Sequence, residues 1–220
     1  MSALLFGSIS AVADTSERQR QAFNDAFAAH GLDWRWDRAE YRAMLSTSGG
    51  RARVAEQARS AGQEVDAQAV HATKSQLFRD GLAATPPTAR PGVVDTIRAA
   101  RDKGVKVGLV TTTSPENVAA LLAALGPDVR RADFDVVVDS SDVDAPKPDG
   151  AAYAFALRQL DEPPERCVAV EDNVDGVAAA VAAGVACVAF PNENTAGHDF
   201  GKARRVVDHV ELAELEDLTR

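Results

Sequence analysis

Short apolar runs alternate with amphipathic segments over most of this chain, and this pattern predicts a doubly wound α/β fold. The first run, ALLF at residues 3–6, contains no polar residue, as expected of a strand buried on both faces of a parallel sheet. Similar runs recur downstream with helical patterns between them. The predicted strands are Ala3–Phe6, Val105–Val110, Phe134–Val138, Cys167–Val170 and Val185–Phe190, and the predicted helices are Val93–Lys103, Asn117–Leu125, Ala151–Leu160 and Asp175–Ala183.

The segment after the first strand breaks this rhythm, because it has helical periodicity but no strand pattern. Prolines at 86, 87 and 91 mark the return to the alternating pattern. We therefore predict a core domain of residues 1–14 and 88–220 and an all-helical cap of residues 15–87, inserted after strand 1. The helices predicted in the cap are Glu17–His30, Arg38–Leu45, Arg51–Ala61 and Asp66–Gly81.

Composition narrows the class of protein. The chain has 220 residues, of which 45% are hydrophobic, and a net charge of −9, which disfavours a nucleic-acid-binding surface. No stretch approaches the roughly 18 apolar residues of a membrane span, and no secretory signal is recognised at the N-terminus. Cys167 and Cys187 lie in apolar runs, as packed thiols in a reducing compartment do. We expect a cytoplasmic protein that binds neither nucleic acid nor membrane.

Candidate chemistry follows the predicted strands, where open parallel sheets bind their ligands. Thr111 and Thr112 follow the second strand, and their hydroxyls suit either a helix N-cap or an anion site at the helix N-terminus. Lys147 follows the third strand between two prolines, either as an exposed lysine or as a fixed positive charge for a phosphate oxygen.

Two adjacent carboxylates, Glu171 and Asp172, follow the fourth strand. Such a pair at a strand end suits Mg²⁺, which prefers oxygen ligands, although a polar helix-capping loop has the same composition. Each of these signals is modest alone. Together they predict that the hydroxyls, the lysine and the carboxylates converge at one edge of the sheet.

Three segments in this order resemble the haloacid dehalogenase (HAD) superfamily, in its CbbY/β-phosphoglucomutase-like branch of sugar-phosphate phosphatases. They read VTTTSPENV at 110–118, APKPDGAAY at 145–153 and VEDNVDGVAAAVAAGV at 170–185. In the predicted cap, ERQRQAFNDAF at 17–27 and SGGRARV at 48–54 resemble the subgroup typified by xylulose-bisphosphate phosphatase. The resemblance implies a Rossmann-like core with strand order 5-4-1-2-3 and a helical cap.

The resemblance also implies roles for individual residues. The family forms an aspartyl-phosphate with the help of Mg²⁺, and a second aspartate acts as general acid and base. Thr111, with Thr112 beside it, and Lys147 match the phosphate-binding positions. Glu171 and Asp172 match the metal ligands. The resemblance further implies that Arg51 and Arg53 meet the distal end of the substrate, and that Gln19 replaces a substrate-contacting histidine, although all three residue types also suit a solvated cap surface.

The chain departs from the family at its first motif. The family has Asp-x-Asp-Gly-Thr-Leu where residues 7–12 read GSISAV, with no insertion or deletion between Phe6 and Asp14. Gly7 therefore stands at the nucleophile position and Ile9 at the acid/base position, so that no catalytic residue is intact. Ser8 is one residue from the nucleophile position, and we expect it to face the opposite side of the strand.

This departure leaves two readings of function open. The first is a catalytically impaired phosphatase homologue, a pseudoenzyme, that binds a phosphorylated small molecule such as a sugar phosphate. On this reading the protein binds Mg²⁺ more weakly than the family does, and it is a monomer or a weak dimer. The alternative is an active Mg²⁺-dependent phosphoric monoester hydrolase that uses another route through Lys147, Glu171 and Asp172. A dinucleotide-dependent oxidoreductase is disfavoured because no G-x-G-x-x-G follows the first strand.

Overall fold

A parallel sheet forms the centre of the molecule. The computed structural model describes residues 1–46 and 49–219, and within them six strands pair in the order β3-β2-β1-β4-β5-β6. The first five strands have the predicted order, and every pairing is parallel. The strands are β1 (Ala3–Phe6), β2 (Lys106–Val110), β3 (Val136–Val138), β4 (Cys167–Glu171), β5 (Ala186–Ala189) and β6 (Arg205–Val206).

Both faces of the sheet are buried, as the uninterrupted apolar runs predict. Leu4 and Phe6 pack into one hydrophobic cluster, whereas Ala3 and Leu5 pack into another on the opposite face. Cys187 lies in the second cluster as a buried free thiol. The helices are α1 (Ile9–Val12), α2 (Ser16–Ala29), α3 (Arg38–Met44), α4 (Gly50–Ala61), α5 (Ala67–Ala84), α6 (Val93–Asp102), α7 (Pro115–Leu125), α8 (Ala151–Leu160), α9 (Val174–Ala182) and α10 (Leu212–Glu216).

Three short elements lie outside the predicted pattern. The strand β6 has two exposed residues and no apolar run, so hydrophobicity does not reveal it. The helices α1 and α10 have four and five residues, too few to show helical periodicity. Of these, α1 matters most for the site, because it begins directly after β1 and turns the chain toward the helices that follow.

The helices α2 to α5 form an insertion between α1 and α6, which we call the helical insertion. Its own hydrophobic cluster is built around the fully buried rings of Phe23, Phe27, Trp36 and Tyr41. Phe27 and Trp36 meet edge to face with ring centroids 4.8 Å apart. Among the described residues, no helix combines the length and the apolar character that crossing a bilayer requires.

The core packing yields a first prediction. Leu109 is fully buried in the middle of the sheet, so Leu109→Ala should lower the free energy of unfolding by about 2–5 kcal/mol through lost burial and a residual cavity. Urea unfolding measures this change. The control is Val181→Ala, because Val181 is 43% exposed and its truncation should change stability by less than about 0.5 kcal/mol. Equal losses in the two variants would contradict the assignment.

Candidate functional site

The carboxyl end of β1 carries no acidic side chain. The strand ends at Phe6, and the Gly7 amide donates to the Val170 carbonyl at 2.8 Å, which keeps this point level with the end of β4. Ile9 then begins α1 and is buried. Of the two positions that match the family's aspartates, residue 7 therefore has no side chain and residue 9 has an apolar one.

Lys147 lies in the centre of the site and is almost completely buried. Its Nζ donates to the Gly7 carbonyl, to the Val110 carbonyl at 2.8 Å and to Glu171 Oε1 at 2.5 Å. An ammonium group has three N–H donors, so three oxygens of the protein account for all of them. The Nζ also lies 4.7 Å from the centroid of the Tyr153 ring. The lysine is thus fully engaged inside the protein.

Glu171 is the partner of this lysine, and no part of it is exposed. Its Oε1 also accepts from the Tyr153 hydroxyl at 2.8 Å, whereas Oε2 is buried without a hydrogen-bond partner. Burial raises the pKa of the Glu171 carboxyl, and the neighbouring Lys147 ammonium opposes that rise. A Cβ built on Gly7 would overlap both the Glu171 carboxyl group and the Tyr153 hydroxyl. The space at residue 7 is therefore filled by Glu171 and Tyr153.

Asp172 is held by hydrogen bonds from three side chains. Its Oδ1 accepts from Ser8 Oγ at 2.7 Å and from Asn173 Nδ2 at 2.9 Å, and its Oδ2 accepts from Asn192 Nδ2 at 2.8 Å. The expectation that Ser8 faces away from the site is wrong. The strand ends before Ser8, which instead caps α1 by accepting from the Ala11 amide at 2.8 Å, and this turn directs its hydroxyl toward Asp172.

The donor set fits a magnesium site poorly. Mg²⁺ takes oxygen ligands in octahedral geometry, generally including carboxylates. Here Glu171 is paired with Lys147, both oxygens of Asp172 accept hydrogen bonds, and Ile9 supplies no carboxylate. No group of three or more His, Cys, Asp or Glu side chains that could hold a metal occurs in residues 1–46 and 49–219.

The hydroxyls after β2 lie beside this cluster. Thr111 is buried, and its Oγ1 accepts from the Thr113 amide at 3.1 Å, while its neighbour Val110 supplies a carbonyl to Lys147. Thr112 is half-buried. The N-cap of α7 is Ser114, so Thr111 and Thr112 do not cap that helix. The convergence of Thr111, Lys147 and the Glu171–Asp172 pair at one edge follows from the parallel register of β1, β2 and β4.

A basic cluster occupies the helical insertion. Lys74 is buried, donates to Gln19 Oε1 at 2.9 Å and lies 4.8 Å from the centroid of the Phe23 ring. Burial, and secondarily the Arg53 charge, lower the pKa of Lys74 to about 7. Burial and the charges of Lys74, Arg51 and Arg53 lower the pKa of His71 to about 4. Lys74 and His71 both lie beside the Phe23 ring, since the centroids of the Phe23 and His71 rings are 6.3 Å apart.

The three candidate site residues of the helical insertion each make hydrogen bonds to other residues of this segment. Gln19 connects Lys74 to the start of α2, since its Nε2 donates to Thr15 Oγ1 at 3.2 Å. Arg51 is exposed and donates to Gln68 Oε1 at 3.1 Å, whereas Arg53 is half-buried and donates to the Met44 carbonyl at 3.0 Å. Ser48, the first residue of the SGGRARV segment, lies outside the described residues.

Four side chains contribute to the site without having been singled out in the sequence. Tyr153 binds Glu171, Asn192 binds Asp172, and Lys74 binds Gln19. Arg90 donates to the carbonyls of Ser10 and Phe190 at 3.2 and 2.6 Å, joining α1 to the end of β5. Of these, Tyr153 had a detectable signal, because it lies in the APKPDGAAY segment that also contains Lys147. The others depend on contacts between distant parts of the chain.

Comparison with known proteins connects this geometry to a family. Residues 5–184 match the family model described as haloacid dehalogenase-like hydrolase. The CbbY protein of Cereibacter sphaeroides is 40% identical over 98% of this chain and 94% of that protein. The CbbY protein of Rhodobacter capsulatus is 37% identical over 92% of this chain and 91% of that protein.

Solved structures give the same result. A mutant of CbbY from Rhodobacter sphaeroides, crystallised with xylulose-(1,5)bisphosphate, superimposes with a TM-score of 0.87 at 39% identity and covers 95% of this chain and 94% of that chain. The structure of CbbY from the same organism with phosphate gives a TM-score of 0.86 at 39% identity, with the same coverage of both chains.

The ion pair of Lys147 and Glu171 yields a stability prediction. Lys147→Met leaves the Glu171 carboxyl group buried without its counter-charge, which should cost about 3–5 kcal/mol of unfolding free energy. Urea unfolding of wild type and variant measures the loss. Lys202→Met is the matched control, because Lys202 is exposed. A loss below about 1 kcal/mol in Lys147→Met would show that the pair is not formed in solution.

The lowered pKa of Lys74 yields a pH prediction. Between about 7, its value in the folded protein, and the ordinary 10.5, the unfolded chain binds a proton that the folded chain does not. The free energy of unfolding attributable to Lys74 therefore rises with pH across that window and is lowest below it. Lys74→Met should remove this rise. Unfolding at pH 7 and pH 9 checks it, and parallel pH profiles for wild type and variant would contradict it.

Proposed function

Because this chain belongs to the haloacid dehalogenase-like hydrolase family, we propose that it binds a phosphorylated sugar and hydrolyses phosphate esters weakly or not at all. The CbbY structure crystallised with xylulose-(1,5)bisphosphate supports a sugar bisphosphate as the ligand class. The proposed loss of activity rests on a single observation. After β1, Gly7 and Ile9 stand at the positions of the family's two catalytic aspartates.

The chemical consequence follows from what those aspartates do. Covalent phosphoryl transfer needs a carboxylate aimed at phosphorus, and Gly7 has no side chain. Protonation of the leaving group, which contributes roughly 10²–10⁴-fold to the rate, has no donor at Ile9. What remains is a set of groups that position and neutralise an anion. Binding without turnover is the function that such a set supports.

We propose roles for the remaining groups from the family positions that they match. Thr111, Thr112 and Lys147 form the phosphate end of the site in the core, residues 1–14 and 88–220. The helical insertion, residues 15–87, acts as a cap, and its Arg51, Arg53 and Gln19 meet the distal end of the ligand. The positive charges of the exposed Arg51 and the half-buried Arg53 support an anionic group at that end.

Magnesium fits this proposal only weakly. Proteins of this family generally use Mg²⁺, which polarises the phosphoryl oxygens when bound. Here Asp172 and Glu171 are the remaining carboxylates at the family's metal position, and both are engaged by other side chains. We propose that the metal site has weakened along with the loss of hydrolytic chemistry.

One observation favours a second candidate, hydrolysis by a route without the two aspartates. The Glu171 carboxyl group lies in the space that a side chain at residue 7 would fill. One feature weakens this candidate. The Oε1 atom of Glu171 is held by Lys147 and by the Tyr153 hydroxyl, so it is not free to attack phosphorus.

Ligand binding and turnover separate the two candidates. Wild-type protein should bind xylulose 1,5-bisphosphate in a calorimetric titration and should release no phosphate above background in the presence of Mg²⁺. Xylulose without phosphate is the control ligand. Rapid phosphate release that disappears in Glu171→Gln would support the second candidate instead, and absence of binding would contradict the first.

Restoring both carboxylates tests the reason for the lost chemistry. Gly7→Asp/Ile9→Asp should release phosphate from the bisphosphate at least about 100-fold faster than wild type, because nucleophile and acid return together. The matched control is Gly7→Asn/Ile9→Asn, which adds the same volume without carboxylates. If the aspartate variant folds, as circular dichroism reports, and is as slow as the asparagine variant, the two missing side chains are not the cause.

A further inference from the structure

The strongest unexplained feature of the site is that the Lys147 ammonium group already donates all of its hydrogen bonds to the protein. All three N–H donors of Lys147 reach oxygens of the protein, and one of these oxygens is the carboxylate Oε1 of Glu171. A phosphate oxygen approaching Lys147 would find no free donor. It would also meet the negative charges of Glu171 and Asp172, which follow each other at the end of β4.

The shape of the site explains how Glu171 comes to lie there. A Cβ at Gly7 would overlap the Glu171 carboxyl group, and so would a Cβ at Gly176 in the first turn of α9. The carboxyl group therefore occupies a space that exists only because both residues are glycines. Tyr153 holds it there with a hydrogen bond of 2.8 Å. Glu171 Oε2 is buried without a partner, so hydrogen bonding alone does not account for this placement.

The ion pair supplies the reason. A buried ammonium group is costly unless a counter-charge lies beside it. With no carboxylate at residue 7, the Glu171 side chain provides that charge for Lys147 at 2.5 Å. The lysine is thereby neutralised by the protein itself.

We propose that Glu171 is an internal counter-ion that occupies Lys147 in the resting protein, so that a phosphate dianion binds at this site only when the Lys147–Glu171 pair opens. The inference rests on the proposed function, since it concerns the same phosphate end of the site. It makes Glu171 an autoinhibitory residue for anion binding, held in position by the Tyr153 hydroxyl and accommodated by Gly7 and Gly176.

Binding of inorganic phosphate tests this inference directly. Glu171→Gln keeps the shape of the side chain and removes its charge, so it should bind phosphate at least tenfold more tightly than wild type. The titration, followed by ³¹P NMR, contains a chelator so that no metal contributes. Glu165→Gln is the matched control, because Glu165 is exposed and its charge change is the same. The control should bind phosphate as wild type does.

The possible outcomes separate this inference from the proposed function. Equal, measurable affinity in wild type and Glu171→Gln would overturn the internal counter-ion and leave phosphate binding intact. Weaker binding by Glu171→Gln would also overturn it. No binding by either protein would overturn both the counter-ion and the proposed function, because removing the charge of Glu171 would then have opened no anion site.

A second measurement does not depend on ligand. A methyl group at residue 176 collides with the carboxyl group of Glu171, which supplies all three of its nearest atoms, so Gly176→Ala should lower the Tm much more in wild type than in a Glu171→Ala background. Gly81→Ala is the control, because a Cβ there has open space and its effect should be the same in both backgrounds. Additive effects of Gly176→Ala and Glu171→Ala would show that Glu171 does not fill the space beside residue 176, and the inference would fail.

Discussion

The arrangement of the site depends on one buried ion pair, formed by Lys147 and Glu171 across the carboxyl ends of the central strands. The lysine ties together the ends of β1 and β2 through the Gly7 and Val110 carbonyls, while Glu171 belongs to β4. Charges of this kind are tolerated in an interior only when each neutralises the other. The pair therefore holds three neighbouring strand ends at one level and decides what else can enter between them.

Membership of a hydrolase family and the chemistry of this particular site point in different directions. The family model covers residues 5–184, and the similarity to CbbY proteins extends over nearly the whole chain. A shared fold, however, does not guarantee a shared reaction, because the reaction is carried out by a few side chains placed on the fold. In this chain those side chains at residues 7 and 9 are absent, and the surrounding groups have formed contacts with one another. The proposed function, binding without rapid turnover, is consistent with both.

The five main strands were predictable from local patterns, and their order was implied by the resemblance of three sequence segments to a known family. Apolar runs such as residues 3–6 and 167–170 contain no polar residue, so they are recognisable wherever they lie in the chain. The sixth strand and the helix α1 were not predictable in this way. Their residues carry too short a pattern, and their conformation depends on what lies beside them, as the pairing of β6 with β5 and the capping of α1 by Ser8 show.

The amino-acid sequence alone determined that no carboxylate follows the first strand, that a lysine and an acidic pair follow later strands, and that parallel strands bring these ends together. These conclusions depend only on residue identity and order. The tertiary structure decided where the remaining side chains go: Glu171 into the space beside Gly7, the Ser8 hydroxyl toward Asp172, and Lys74 into the interior of the helical insertion. Such placements depend on the volume and charge left free by residues distant in the chain, and a linear pattern contains no measure of either.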